Sequence, residues 1–155
     1  MTNTLLTNTL PFGSPAYVLY LSIFAASAVG CLAGVRQARR VSLPGVRRGL
    51  TSLLVASGLW SLCHVGMLLA PGLGLKAAFY EAGLIVGFGT VWAWLWLCSA
   101  YSGRALHRRR SAQWAAFAVF AGVTATKLTN SWHGLYFAAD VGTVPFRHLA
   151  VNHHA

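Results

Sequence analysis

Between Pro15 and Val35 the chain runs for 21 residues without a charged side chain, and the run ends on Arg36, Arg39 and Arg40. At 1.5 Å per residue, a helix of that length matches the ~30 Å hydrocarbon core of a bilayer. Further uncharged stretches follow, from Gly49 to Leu75, from Ala82 to Gly103 and from Ser111 to Thr126. Apolar residues in blocks, instead of at amphipathic spacing, predict an all-α fold, an integral membrane helical bundle of about four transmembrane helices.

Composition agrees with the blocks. Only 9% of the 155 residues are charged, against roughly 25% in a soluble domain. The net charge of +10 would suit a nucleic-acid binder if the basic residues formed one patch. They do not: nine of the twelve lie in two short segments, Arg36 to Arg48 and Arg104 to Arg110, each between uncharged runs. That is the positive-inside pattern, so the expected partner is the lipid bilayer and not nucleic acid.

With both arginine segments in the cytoplasm, the predicted organisation is an extracellular segment 1–14, a membrane domain 15–131 and an extracellular loop or tail 132–155. Helices are predicted over about 15–35, 49–70, 82–103 and 111–131 of a multi-pass cell-membrane protein. Residues 1–14 hold no positive charge, which a secretory signal would place ahead of its apolar run. Glu81 is predicted in the first turn of the third helix, where a carboxylate favours the helix dipole. The fourth span is the shortest, and the expectation is that Lys127 snorkels to the outer interface to complete it. Tyr17 and Tyr20 then fall at the outer boundary and Tyr101 and Trp114 at the inner one, as an aromatic belt requires.

Several constellations bear on function. Gly30-x-x-x-Gly34 and Gly83-x-x-x-Gly87 place small residues on one helical face, which allows close helix packing in lipid. Trp60 and Trp92 each lie eleven residues from a cytoplasmic helix end, so they are expected level near mid-membrane, where they could line a ligand pocket or serve as packing bulk. His64 shares a face with Trp60, and an ionisable group inside a membrane is a candidate functional site. The expected state is a histidine hydrogen-bonded within the bundle. A haem held by His64 and His133 is disfavoured by unequal depth.

A relay between His64 and Glu81 is disfavoured by a separation of some ~10 Å along the helix axis. Lys127 lacks the intramembrane carboxylate that a Schiff-base chromophore needs. The histidines 148, 153 and 154 have no acidic or cysteine partners nearby, and Cys31, Cys63 and Cys98 sit inside apolar runs, so no metal, cofactor or disulfide is expected. No nucleophile–base pair or phosphate loop is present, so no catalytic residue is assigned.

Three segments resemble a known family. Trp60-Ser61-Leu62 lies in the tryptophan-containing second helix; Tyr101-Ser102-Gly103-Arg104 is similar to the family's Tyr-Thr-Gly-Arg; Thr129-Asn130-Ser131-Trp132-His133 is similar to its Thr-Asn-x-x-His. Together with Phe146 to His153, they resemble the seven-helix N-terminal sensor region of membrane histidine kinases, a family well represented in archaea. The resemblance implies a sensory module of a two-component system, non-catalytic by itself, with other transmembrane helices or a kinase subunit, or a homo-oligomer, as partners. It also implies Trp60, His64 and Trp92 as ligand-pocket candidates and Thr129, Asn130 and His133 as the cap of its outer mouth.

The family continues through three more helices to sensor and kinase domains, whereas this sequence ends at Ala155, so the resemblance implies a truncated module. The alternative function is a small oligomeric transporter or channel, with Glu81 as the carboxylate on which flux would depend.

Overall fold

The computed structural model describes residues 14–104, 108–134, 137–142 and 148–153; for Ser131, His133 and the two strands it describes the backbone alone. Four long helices follow one another as α1 (Pro15–Ala38), α2 (Pro44–Leu69), α3 (Leu73–Tyr101) and α4 (Arg110–Leu128). A single turn, α5 (Asn130–His133), then leads to β1 (Phe137–Gly142) and β2 (His148–His153). Pro15 and Pro44 open α1 and α2, where proline's fixed φ suits the first helical position and its missing N–H costs nothing.

The expected membrane helical bundle is present. Helices α1, α2 and α3 are long and apolar enough to cross a membrane. α4 is the least apolar of the four: its 19 residues, ~28 Å of helix, include Arg110, Gln113, Thr124, Thr126 and Lys127. α1 begins at Pro15 as expected, whereas the other helix boundaries shift. α3 begins at Leu73, so Glu81 stands more than two turns inside the helix and not in its first turn.

Burial is inverted relative to a water-soluble protein. Val29, Leu19, Val91 and Trp94 are exposed, while the buried positions include Ala28, Ala38, Ala93, Ser61 and Ser99 with Gly49, Gly58 and Gly83. Lipid is as apolar as leucine, so burying large aliphatic side chains gains little, and close backbone approach through small residues drives packing instead.

α2 is central, packed on α1 and α3. Positions where a Cβ would meet the neighbouring helix trace the α2–α3 register: Gly49 against Leu97, Gly87 against Trp60, Gly83 against Cys63 and Gly66 against Phe79. Each step along α2 is matched, to within one residue, by an opposite step along α3, which defines an antiparallel hairpin. α1 runs antiparallel to α2 in the same way, with Gly34 near Leu54 and Gly58 near Cys31. Gly30 has open space around its Cβ direction, so only the second half of the first glycine pair packs within the chain.

The last carbonyls of α2 show how the hairpin turn is held. A helix end leaves its final C=O groups without intrahelical partners, and in lipid such groups are costly. Lys76 Nζ donates to the Met67 carbonyl at 2.9 Å and Tyr17 Oη to the Leu68 carbonyl at 3.4 Å, while Ala70 N–H closes on Gly66. Lys76 is therefore a buried cap and not a linker residue, and Tyr17, 2% exposed, is a cap and not part of an exposed belt. Tyr20, Tyr101 and Trp114 are exposed, as belt residues should be. Lys76→Met is expected to lower stability by ~1.5–3 kcal/mol, the range for a hydrogen bond to a charged group, measured by unfolding of the reconstituted protein.

The tail forms an antiparallel hairpin, paired from Phe137 with His153 to Gly142 with His148, where a loop is expected. An isolated two-stranded hairpin is marginal in water; both strands here contact α3.

Candidate functional site

Three aromatic rings from α1 and α2 meet in one cluster. The Phe24 and His64 rings stack at 4.6 Å, Trp60 and His64 lie 4.4 Å apart at a tilt, and Phe24 meets Trp60 edge-on at 6.2 Å. His64 Nδ1 lies 3.0 Å from the Trp60 carbonyl. A carbonyl only accepts, so Nδ1 carries the proton in that bond.

This cluster rests on the second glycine pair. A Cβ at Gly87 would stand 3.2 Å from the Trp60 indole, and one at Gly83 would stand 3.4 Å from Cys63 and 3.9 Å from His64. The small residues of α3 thus form the floor on which Trp60 and His64 lie. Beside them is a cavity of ≈ 350 Å³ lined by Ser27, Ser57, Trp60, Ser61, Gly87 and Thr90. Ser61 Oγ lies 3.0 Å from the Ser57 carbonyl and 3.1 Å from Ser27 Oγ. With one proton, Ser61 donates to the carbonyl and accepts from Ser27. Thr90 donates to the Gly87 carbonyl at 2.6 Å. The cavity combines hydroxyl oxygens with an indole wall, a lining suited to a small ligand that is partly polar.

Trp92 is not part of this site. The hairpin register sets Trp60 opposite Gly87, so Trp92 lies about five residues, ~8 Å, further along the axis. Counting inward from Gly49 and Gly103 failed because α2 begins at Pro44 and α3 ends at Tyr101. Trp92 also faces the other way. It lines a cleft of ≈ 790 Å³ between α3 and α4 with Gly89, Trp96, Arg110, Trp114, Phe117 and Phe120 among others.

Lys127 does not snorkel outward. It is 6% exposed, with Nζ 3.2 Å from the Leu84 carbonyl and 5.4 Å from the centre of the Phe88 ring. The Leu84 carbonyl supplies the polar partner that the outer interface was expected to supply. Glu81 stands two residues before Gly83 and so shares the level of His64 instead of lying ~10 Å away. It is separated laterally: two residues turn the helix by roughly 200°, onto the far face of α3.

The residues expected to cap the outer mouth lie at the end of α4 and in α5. Asn130 is 5% exposed, and the Thr129 hydroxyl donates to the Ala125 carbonyl at 2.8 Å. His133 closes α5, ahead of Gly134 in the left-handed conformation at φ 60°; its side chain, like those of His148 and His153, lies outside the described residues, as does His154. Among the described residues no group of three metal-ligating side chains assembles. Phe24 and the serine-lined cavity escaped the sequence reading. Ser57 and Ser61 at i, i+4 on the face of an apolar helix were the available signal.

Three helices long and apolar enough to cross a bilayer and an interior of small residues define a multi-pass membrane protein. The chain belongs to the family described as the N-terminal 7TM region of histidine kinase, which it matches over residues 19–153. No curated protein and no solved structure matches it.

Proposed function

We propose that this chain is the membrane sensory module of a histidine-kinase-type signalling protein, without catalysis of its own. A small ligand, or a change in the membrane, alters the packing of Phe24, Trp60 and His64 on the Gly83–Gly87 floor and shifts α2 against α3. The movement passes to a kinase. The positive-inside rule places the arginine-bearing end in the cytoplasm and the N-terminus outside. The observation that carries the reading is the serine-lined cavity, which borders Trp60 and Gly87 at the junction of α1, α2 and α3. A ligand there touches all three helices, and only differential contact can shift an equilibrium between packings.

The test uses this segment as the membrane region of a full-length histidine kinase. His64→Ala is expected to change autophosphorylation ~2–30-fold, the span of coupling changes of ~0.5–2 kcal/mol. Wild-type output from both His64→Ala and His133→Ala would remove the reading.

A further inference from the structure

α3 and α4 do not pack along their whole length. They touch in one half, where the Phe88 and Phe120 rings stack at 5.8 Å, Phe120 approaches Gly89, and Lys127 reaches the Leu84 carbonyl. Towards the arginine-bearing end they splay, and the ≈ 790 Å³ cleft occupies the gap. Its volume falls within the roughly 300–1,000 Å³ usual for small-molecule sites. The walls are stripes at helical spacing: Gly89, Trp92 and Trp96 on α3, and Arg110, Gln113, Trp114, Phe117 and Phe120 on α4.

Two properties identify the occupant. The first is depth. From Arg110 to the closing Phe120 is ten residues, ~15 Å of helix, which is half the ~30 Å hydrocarbon core and so one leaflet. A further transmembrane helix needs a groove through both leaflets, and the Phe88–Phe120 stack blocks this one midway. The second is charge. The mouth carries Arg110 with Arg108 and Arg109 beside it, all exposed, while the inner walls are apolar and aromatic. Basic pockets between transmembrane helices hold the headgroups of anionic lipids.

We infer that the α3–α4 wedge binds an anionic phospholipid from the leaflet at the arginine-bearing end. Its phosphate pairs with Arg110, and one acyl chain lies between Trp92 and Trp96 on one side and Phe117 and Phe120 on the other. The bound chain fills the splay and makes the position of α4 sensitive to the lipid present.

Tryptophan quenching tests the inference. The full chain is reconstituted in vesicles containing a minor fraction of lipid with brominated acyl chains, either phosphatidylglycerol or phosphatidylcholine. Quenching is expected to favour phosphatidylglycerol ~5-fold at low salt, as one basic residue near a membrane surface provides. The preference should fall close to parity in Arg110→Gln, and also in Ala116→Trp, which keeps the arginine and fills the cleft. Inorganic phosphate at millimolar concentration should not compete, because the acyl chain supplies the depth of the site. Equal quenching by the two lipids, a preference that survives Ala116→Trp, or displacement by free phosphate would each overturn the assignment.

Discussion

Gly49→Ala is expected to destabilise the bundle by ~1–3 kcal/mol, the usual range for overpacking a filled interior. A Cβ at this position would stand 2.8 Å from Leu97 Cα and 3.0 Å from its backbone nitrogen. Backbone atoms cannot rotate aside, so α2 and α3 must separate near the arginine-bearing end. Separation forfeits dispersion contacts all along the seam, and lipid offers no hydrophobic compensation.

The same substitution at Gly30 or Gly122, where a Cβ would meet nothing within 4 Å, should leave stability unchanged or raise it slightly, because alanine is the better helix former. Steric-trap unfolding in bilayers or bicelles resolves the series. If Gly49→Ala matches Gly122→Ala, the α2–α3 register described above is wrong.

Trp60→Ala carries the second large effect, and it acts on stability and signalling together. Truncating a fully buried aromatic residue costs ~3–5 kcal/mol. Trp60 is 39% exposed, towards lipid that refills part of the space, so a loss of ~2 kcal/mol is expected, below the buried range. The indole also supports the Phe24 and His64 rings and walls the serine-lined cavity. Kinase output in the full-length context should therefore change more than with His64→Ala. Trp60→Phe separates the two roles: it restores part of the stability by keeping a ring on Gly87, but it removes the indole edge from the cavity. Unfolding measured alongside autophosphorylation checks both. Full stability and full output in Trp60→Ala would count against the cluster as a functional unit.

The membrane character was legible in the chain because lipid imposes a local requirement. With no water to satisfy backbone groups, a spanning segment must be a helix of ~20 apolar residues, and such a run is visible without knowing its neighbours. Pro15 as the start of the first helix is equally local, whereas the start of the second at Pro44 was expected at 49. The pairing of His64 with Trp60 at i, i+4 is also a property of one helix, and it became a ring contact at 4.4 Å.

Helix ends and depths were less legible. The expected helix ranges left Lys76 in the gap between the second and third spans. The unpaired carbonyls at the end of α2 supply its partner, and those belong to a different helix. Lys127 was misread for the same reason: its partner is the Leu84 carbonyl, 43 positions away. Helix boundaries other than the start of α1 moved, that of α3 from 82 to Leu73, and every depth counted from a boundary moved with it. That is how Trp92 parted from Trp60 and Glu81 came level with His64.

Sequence by itself determined that the chain spans a bilayer as helices, which end carries the arginines, and the family to which it belongs, because each rests on runs and short motifs read along one strand of text. Tertiary structure decided which faces meet. Trp60 lies on Gly87, Phe24 joins the cluster from α1, Trp92 turns to the α4 cleft, and the tail closes as a strand pair. Helix packing in lipid is governed by the shape of small residues and by single polar contacts between distant positions; a Gly-x-x-x-Gly pair marks a packing face without naming its partner, and a contact between distant positions leaves no local signature.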